Sequence, residues 1–233
     1  MTIVGDIAED MAKRAVATTF GALPPRPALP PVPAGPGPFR YFPERLPPPV
    51  TETHLGPADK AAAVLAWPLY VASPERRREE YALNLVRSIF ETRLIRQVRV
   101  VMGKVYSPGV GLVTPDAADQ GMLLVTLEAA PDEISPLVEA TRKVAADLAR
   151  GAISQEEVDA ARTPMLASAD QALRDNAAWA SLIALAGPDR TVLRELTGFR
   201  PDIEALTLDD VRRAAATWLA PAPMLSRALP AGR

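Results

Sequence analysis

Cysteine is absent from the 233-residue chain, and histidine occurs once, at His54. The lack of cysteine excludes disulfides, thiol nucleophiles and thiolate metal ligands, and it leaves the redox compartment open. Protein zinc sites usually need two or more His or Cys ligands. We therefore expect no zinc ion to be held by this chain alone, and we expect His54 to bond to nearby backbone.

An excess of positive charge is also missing. The chain has 26 Lys and Arg against 28 Asp and Glu, a net charge of −2, which gives no electrostatic reason to bind nucleic acid or an anionic membrane surface. The longest uncharged apolar run, residues 61–73, is shorter than the roughly 20 residues that span a bilayer. No transmembrane helix is predicted.

A secretory signal is not recognisable either. Acidic residues at Asp6, Glu9 and Asp10 stand where a signal peptide would carry a basic region and then an apolar one. If the protein is exported, we expect the signal upstream of this sequence, and the parent protein would then be periplasmic.

Proline, by contrast, is abundant in one place, since 12 of the 25 prolines lie between positions 24 and 49. That density excludes a helix or the interior of a sheet and favours an extended, polyproline-like path. The segment predicts a semi-rigid linker. Its PxxP spacings also leave open a ligand for a binding module with an aromatic groove.

Hydrophobic periodicity predicts helices and strands on both sides of this linker. Before it, residues 2–5 are predicted as a strand, and Asp6 as the cap of a helix over 7–20. After it, a helix is predicted from Ser73 to about Val98 or Val101, where Gly103 stops it, and a second over 132–148. Strands are predicted at 62–70, 105–113, 121–127 and 224–229, with the middle two as a hairpin.

Two capping boxes predict further helix starts, at Ser154 with Glu157 and at Thr207 with Asp210. The first opens a long helical region that Pro164 should kink and Gly187-Pro188 should end. The second opens a last helix through Leu219. Short hairpin-paired strands among long helices indicate an α+β layer architecture.

Sequence signatures of catalysis are missing from the chain. It has no H-E-x-x-H, no inverted H-x-x-E-H, no G-x-S-x-G, no P-loop and no dinucleotide-binding glycine motif. We expect the isolated chain to be inactive on peptides.

One basic segment, from Arg93 to Ser107, joins a helix end to a strand start and places Arg99 seven residues before Tyr106. A purely structural interpretation is available for both residues. Arg99 then lies in solvent near a helix C-terminus, where it is favourable to the dipole, and Tyr106 begins a strand with its hydroxyl at the rim.

Five motifs follow one another along nearly the whole chain. They are Val4-Gly5-Asp6, Phe20-Gly21-x-Leu23-Pro24, His54-x-Gly56-x-x-x-Lys60-Ala61, the R-x-x-x-G-x-x-Y of Arg99 to Tyr106, and Leu208-x-x-Val211. In this order they resemble the C-terminal lobe of the M16 (pitrilysin or insulinase-like) zinc peptidases.

The resemblance implies a fold and a domain organisation. The fold is α+β, an antiparallel sheet packed with helices, of the LuxS and mitochondrial-processing-peptidase-like metallohydrolase type. Residues 1–22 become the end of the preceding M16 domain, with a strand and a helix. Residues 23–50 become the Pro-rich linker, and residues 51–233 the M16 C-terminal domain.

The resemblance also implies different roles for the two lobes of the enzyme. The family's zinc ligands lie on an H-x-x-E-H helix of the N-terminal lobe, so zinc is expected in that lobe, on the same longer chain or on a separate subunit, with no cofactor in this chain. Arg99 and Tyr106 match the pair that contacts the peptide substrate and helps to stabilise the oxyanion. The catalytic candidates are therefore Arg99 and Tyr106.

Two other functions stay open at this point. The first is a non-catalytic partner or scaffold subunit that has the M16 fold without contributing to chemistry. The second is a free-standing binding module that uses the Pro-rich stretch.

Overall fold

The computed structural model describes residues 1–25, 47–69, 77–102, 108–113, 121–186 and 191–231, and the structural statements below concern these residues. The chain divides into two compact units, which we describe separately. The main unit contains Pro38–Thr163 and Asp202–Arg233, and the smaller unit contains Met1–Gly37 and Pro164–Pro201.

A single five-stranded sheet forms the centre of the main unit in the described part of the chain. Its strands, in the spatial order β1-β5-β2-β4-β3, are β1 Val50–His54, β2 Ala61–Leu69, β3 Gly109–Val113, β4 Gly121–Ala129 and β5 Met224–Pro230. β1 runs parallel to β5, and the other neighbours are antiparallel. The predicted β3–β4 hairpin, the strand near residue 62 and the final strand are confirmed.

Three helices of the main unit pack on one face of this sheet: α2 Arg77–Met102, α3 Ile134–Ala149 and α7 Leu208–Leu219. The unit also contains the first part of α4 Gln155–Ala172, whose Glu157 binds Arg93 of α2. The predicted α+β class is confirmed. No described helix has both the length and the apolar character that crossing a membrane requires.

Alternation along β2 shows which face the helices cover. Ala63 and Leu65 are buried, as is Trp67, whereas Val64 between the first two is 38% exposed. The Trp67 ring packs edge-to-face on Phe90 of α2, with 5.7 Å between ring centroids.

The apolar stripe predicted for the helix over 132–148 is confirmed. In α3 every position of the stripe is buried: Ile134, Leu137, Val138, Thr141, Val144, Ala145 and Leu148. The polar member is satisfied within the helix, because the Thr141 hydroxyl donates to the carbonyl of Leu137 at 2.8 Å.

In the smaller unit, the predicted strand over residues 2–5 is wrong. These residues form no strand, because no strand of the described chain pairs with them and the backbone turns at Gly5, where φ is +151° and the carbonyl accepts from the amide of Ile7 at 3.0 Å. The predicted cap at Asp6 is also wrong. α1 Glu9–Thr18 starts after Ala8 without a side-chain cap, and a 3-10 turn, Phe20–Ala22, follows it.

The helical region after Ser154 is divided differently from the prediction. α4 continues through Pro164 and ends at Ala172, and α5 Asn176–Ala186 begins after a break at which the Asp175 carboxylate accepts from the amide of Ala177 at 2.8 Å. A further helix, α6 Thr191–Glu204, was not predicted. The predicted helix stops at Gly103 and Gly187, the helix start at Ser73 and most of the Pro-rich segment lie outside the described residues.

Candidate functional site

Arg99 lies in the last turn of α2, on the solvent side of the helix. It is the basic residue of that turn, a position that is favourable to the helix dipole. Its side chain is exposed, whereas the neighbouring Val98 and the earlier Leu94 are buried. Within the described residues no hydrogen bond or ion pair holds the Arg99 guanidinium.

Tyr106, the second candidate, lies outside the described residues, which resume at Pro108. The structure therefore gives the position of Arg99 but no geometry for the pair. What it does describe is the end of α2 on one side and the start of β3 on the other, and these bracket the R-x-x-x-G-x-x-Y segment.

A cavity of about 260 Å³ lies at the place where the chain passes from α2 to β3. Its lining combines apolar side chains from the core with polar side chains of β4, as Val98, Pro108, Gly109, Thr126, Leu127, Glu128 and Leu137. Thr126 and Glu128 are exposed on the sheet face that the helices leave uncovered.

Gly109 makes the close approach of β3 to β4 possible at this cavity. It lies opposite Thr126 in the antiparallel register, and a Cβ at position 109 would stand 2.5 Å from the Thr126 hydroxyl oxygen. Any larger residue would force the two strands apart or displace the threonine. Close packing of β3 against β4 therefore explains why a glycine occupies position 109.

A group of polar residues at the start of α4 binds the second half of α2, the part of the helix that carries Arg99. This α4 cluster consists of Ser154, Glu157 and Arg93. The capping box is confirmed, since the Ser154 amide donates to Glu157 Oε2 at 3.0 Å and the Glu157 amide donates to Ser154 Oγ at 3.2 Å. The Arg93 guanidinium from α2 adds two bonds to the same carboxylate, each at 2.6 Å.

This arrangement changes the acidity of Glu157. The hydrogen bonds from Arg93, followed by those from Ser154, lower the pKa of the Glu157 carboxyl to about 2 against partial burial, which acts in the opposite direction. The carboxylate is ionised at neutral pH. Arg93 precedes Arg99 by six residues in the same helix, so this charged pair holds the end of α2 that carries Arg99.

A second group of polar residues binds the first turn of α2 to the start of α7. The α7 cluster consists of Thr207, Asp210, Arg78 and Arg213. Its capping box is complete, Arg78 of α2 donates to Asp210 Oδ2 at 2.7 Å, and Arg213 also pairs with the carboxylate. The Arg78 bond outweighs burial and lowers the pKa of Asp210 well below its usual value; in return the pKa of Arg78 is raised.

His54 does not have the geometry of a metal ligand. Its Nδ1 accepts from the amide of Gly56 at 3.1 Å, and its Nε2 lies 3.0 Å from the carbonyl oxygen of Lys60. Because a carbonyl only accepts, Nε2 is the donor in this contact. The expected bond from His54 to nearby backbone is confirmed.

The donor set of the described chain does not fit a zinc ion. Both nitrogens of the lone histidine are already engaged with backbone, and the described residues contain no group of three or more His, Cys, Asp or Glu side chains that could hold a metal. The two acidic residues with strongly altered acidity are each paired with arginine.

Protein-family models place most of the chain in a known family. The Peptidase M16 inactive domain matches residues 1–165 of the chain, which is more than half of its length. Among curated proteins, the chloroplastic stromal processing peptidase of Oryza sativa subsp. indica is 28% identical over 102 residues, and that of Pisum sativum is 25% identical over 134 residues. These alignments cover 44% and 55% of this chain but 8% and 10% of the relatives.

Solved structures agree on the fold. The peptidase M16 inactive domain from Pseudomonas fluorescens superposes with a TM-score of 0.71 at 22% identity, over 98% of this chain and 53% of that one. The periplasmic protease PqqL from Escherichia coli gives a TM-score of 0.70 at 19% identity, over 97% of this chain and 25% of that one. The chain thus spans about half of one structure and a quarter of the other.

Proposed function

The chain belongs to the M16 peptidase family, because most of it matches the inactive domain of that family, and we propose that it is the C-terminal lobe of a zinc metalloendopeptidase. This lobe does not bind the zinc ion. In this proposal the lobe forms one wall of a peptide-binding chamber. Its partner is an N-terminal M16 lobe, on the same longer chain or on a separate subunit. The stromal processing peptidases, which are much longer than this chain, offer a precedent for the larger protein.

The observation that carries the substrate-binding part of the proposal is the position of Arg99. Its exposed side chain lies in the last turn of α2, next in sequence to Val98, which lines the 260 Å³ cavity. The neighbouring Arg93 is occupied by Glu157, whereas no described residue binds Arg99. An exposed arginine that no described residue binds supports a role toward a ligand.

The chemistry proposed for Arg99 and Tyr106 is hydrogen-bond donation. A guanidinium is a planar donor fork and a phenol is a single donor, and both suit the carbonyl oxygens of an extended peptide. Donors aimed at the oxygen of the scissile carbonyl stabilise the negative charge that develops there during hydrolysis. A zinc ion in the N-terminal lobe would polarise that carbonyl and activate water.

We also propose the domain boundaries that the resemblance implies: residues 1–22 from a preceding domain, 23–50 as linker and 51–233 as the C-terminal domain. Limited proteolysis with mass spectrometry tests the linker. Early cuts within 24–49 that leave a stable product beginning near residue 51 would support the boundaries. A first cut inside 51–233 would contradict them.

The experiment that tests the pair is substitution in the full-length enzyme, or in this chain with the catalytic lobe added. Tyr106→Phe removes one donor and is expected to lower kcat on the order of 10²-fold, because loss of one oxyanion donor typically has that effect. Arg99→Lys should also lower the turnover, because an ammonium does not reproduce the planar fork.

Matched controls separate this role from a general loss of folding. Arg96→Lys changes another exposed arginine one turn earlier on α2, and Tyr41→Phe makes the same chemical change in the Pro-rich segment. Both should keep wild-type turnover. If Arg99→Lys and Tyr106→Phe do so as well while thermal melts are unchanged, the pair is structural, and the non-catalytic scaffold becomes the better assignment.

A further inference from the structure

The 260 Å³ cavity at the start of β3 has one charged residue in its lining, Glu128 of β4. Glu128 is exposed, and in the described part of the chain no hydrogen bond or ion pair engages its carboxylate. Glu157 and Asp210 differ in this respect, because each of them binds an arginine of α2. The cavity therefore presents a negative charge that the described chain does not neutralise.

The sheet face that the helices leave uncovered, here called the open face, carries no opposite charge along its strands. The strand register places Glu128 in one row with Glu52 of β1, with two alanines between them. Arg227 is the only lysine or arginine of the five strands. It lies opposite the buried Ala63, and therefore on the helix-covered face. The open face thus favours the approach of a cation.

The inner lining of the cavity is apolar. Val98, Leu127 and Leu137 line it and are buried, and Pro108 closes it at the start of β3. Lysine and arginine lay their methylene stems on apolar surfaces and keep the charged head group in water. An apolar wall beside an exposed carboxylate matches both parts of such a side chain.

The size and the donor set of the cavity argue against other cations. A calcium ion takes six to eight oxygen ligands, whereas this lining offers one carboxylate, and the described residues contain no acidic group of the size that a metal requires. Pockets for drug-sized molecules usually have about 300–1,000 Å³. A cavity of 260 Å³ is closer to the size of one long side chain.

We propose that this cavity receives the side chain of a lysine or arginine from a bound peptide. The methylene stem lies against the apolar lining, and the head group pairs with the carboxylate of Glu128, with the hydroxyl of Thr126 as a second acceptor. The inference rests on the function proposed above in one respect, because it takes that peptide to be the substrate. It makes Glu128 a specificity residue and basic peptides the substrate class.

The test is a titration of the full chain, labelled with nitrogen-15, with the peptide acetyl-Ala-Ala-Arg-Ala-Ala-amide. Its control has citrulline in place of arginine, which keeps the shape of the side chain and removes the charge. We expect saturable shifts of the backbone amides of Gly109, Thr126 and Glu128 with the arginine peptide. The citrulline peptide should bind about 5-fold more weakly, as expected for the loss of one exposed ion pair.

A pair of matched substitutions locates the charge that is responsible. Glu128→Gln should lower the affinity for the arginine peptide to that for the citrulline peptide and leave the latter unchanged. Glu52→Gln makes the same change on the same face outside the cavity lining and should alter neither affinity. Raising NaCl from about 0.05 M to about 0.5 M should weaken binding of the arginine peptide only.

Three results would overturn the proposal. They are amides that millimolar arginine peptide leaves unmoved, equal affinities for the two peptides, and equal losses in Glu128→Gln and Glu52→Gln. Thermal melts establish that both variants are folded. The titration needs no zinc-binding lobe, so its failure is distinct from a failure of Arg99 and Tyr106 to affect turnover.

Discussion

α4 and α7 begin with the same arrangement of side chains, but the burial of these side chains differs. Each begins with a capping box whose acidic residue also binds an arginine of α2, Glu157 with Arg93 and Asp210 with Arg78. The two acid–arginine pairs differ in which side chain is buried. The Asp210 side chain is 9% exposed against 53% for Arg78, whereas Glu157 and Arg93 are both partly covered, at 30% and 22%.

This difference separates the contribution of the capping box from that of the tertiary contacts. The box fixes where the helix begins, and it can be recognised from four residues of sequence. How much the acidic residue stabilises the fold depends on its burial and on a distant arginine. The α7 cluster should therefore be the more sensitive of the two to loss of its carboxylate.

The largest expected effect is that of Asp210→Ala. The change removes the cap of α7 and the partners of Arg78 and Arg213, and we expect unfolding to require about 3 kcal/mol less free energy. Urea denaturation measures this. Asp209→Ala, which removes an exposed carboxylate from the same turn, should cost less than about 0.5 kcal/mol. Equal losses in the two variants would contradict the role of the α7 cluster.

Acidification should weaken both clusters. Both carboxyls have a lower pKa in the folded chain than their usual values of 4.5 and 3.8, so the unfolded chain binds protons first and stability falls as the pH drops. The contribution of Glu157 is complete above about pH 5 and disappears toward pH 2, and that of Asp210 disappears over a lower range. We expect a combined loss of about 2 kcal/mol after allowing for solvent screening.

Denaturant curves at pH values from 2 to 7 test this dependence. The curve of stability against pH should be flatter for Glu157→Gln between pH 4.5 and 2 than for the wild type. A mutant curve parallel to the wild-type curve would show that Glu157 does not contribute.

A smaller effect is expected for Glu157→Gln at neutral pH. Glutamine retains the shape and hydrogen bonds of a capping box but loses the charge that faces Arg93, so we expect a loss of about 1–2 kcal/mol. Glu156→Gln changes the exposed neighbour in the same turn and serves as the control. If Glu157→Gln costs more than Asp210→Ala, the α4 cluster contributes more to stability than the α7 cluster.

The smallest effect should be that of Arg213→Ala. Its side chain is 71% exposed, and ion pairs three or four residues apart on a helix contribute about 0.2–0.5 kcal/mol. Arg78→Ala should cost more, because Arg78 also donates to the carbonyl of Ala205 at 2.8 Å. Equal values in thermal melts would show that the long-range bond adds nothing to the local one.

Local signals allowed much of this fold to be predicted. The stripe on α3 follows from three- and four-residue spacing, and both capping boxes follow from pairs three residues apart. The antiparallel hairpin follows from two apolar runs with a polar turn. These features depend on neighbours in sequence, and each was found near its predicted place.

Features that depend on distant partners could not be predicted in this way. β1 has an exposed, polar sequence without alternation and becomes a strand only because β5 pairs with it. Arg93 and Arg78 meet acids that lie 64 and 132 residues away, and no spacing rule relates them. For the candidate site, the sequence indicated the exposed position of Arg99, and its pairing with Tyr106 stays a prediction.

The place of β5 in the sheet has a consequence for how the protein is made. β5 comes last among the described strands, yet it lies between β1 and β2. On the ribosome the sheet stays split until residues 224–230 emerge, so β1 has no partner and β2 presents an open edge. A chain that stalls or is truncated before Met224 would leave that edge free to pair with other nascent chains, which makes such fragments prone to aggregation.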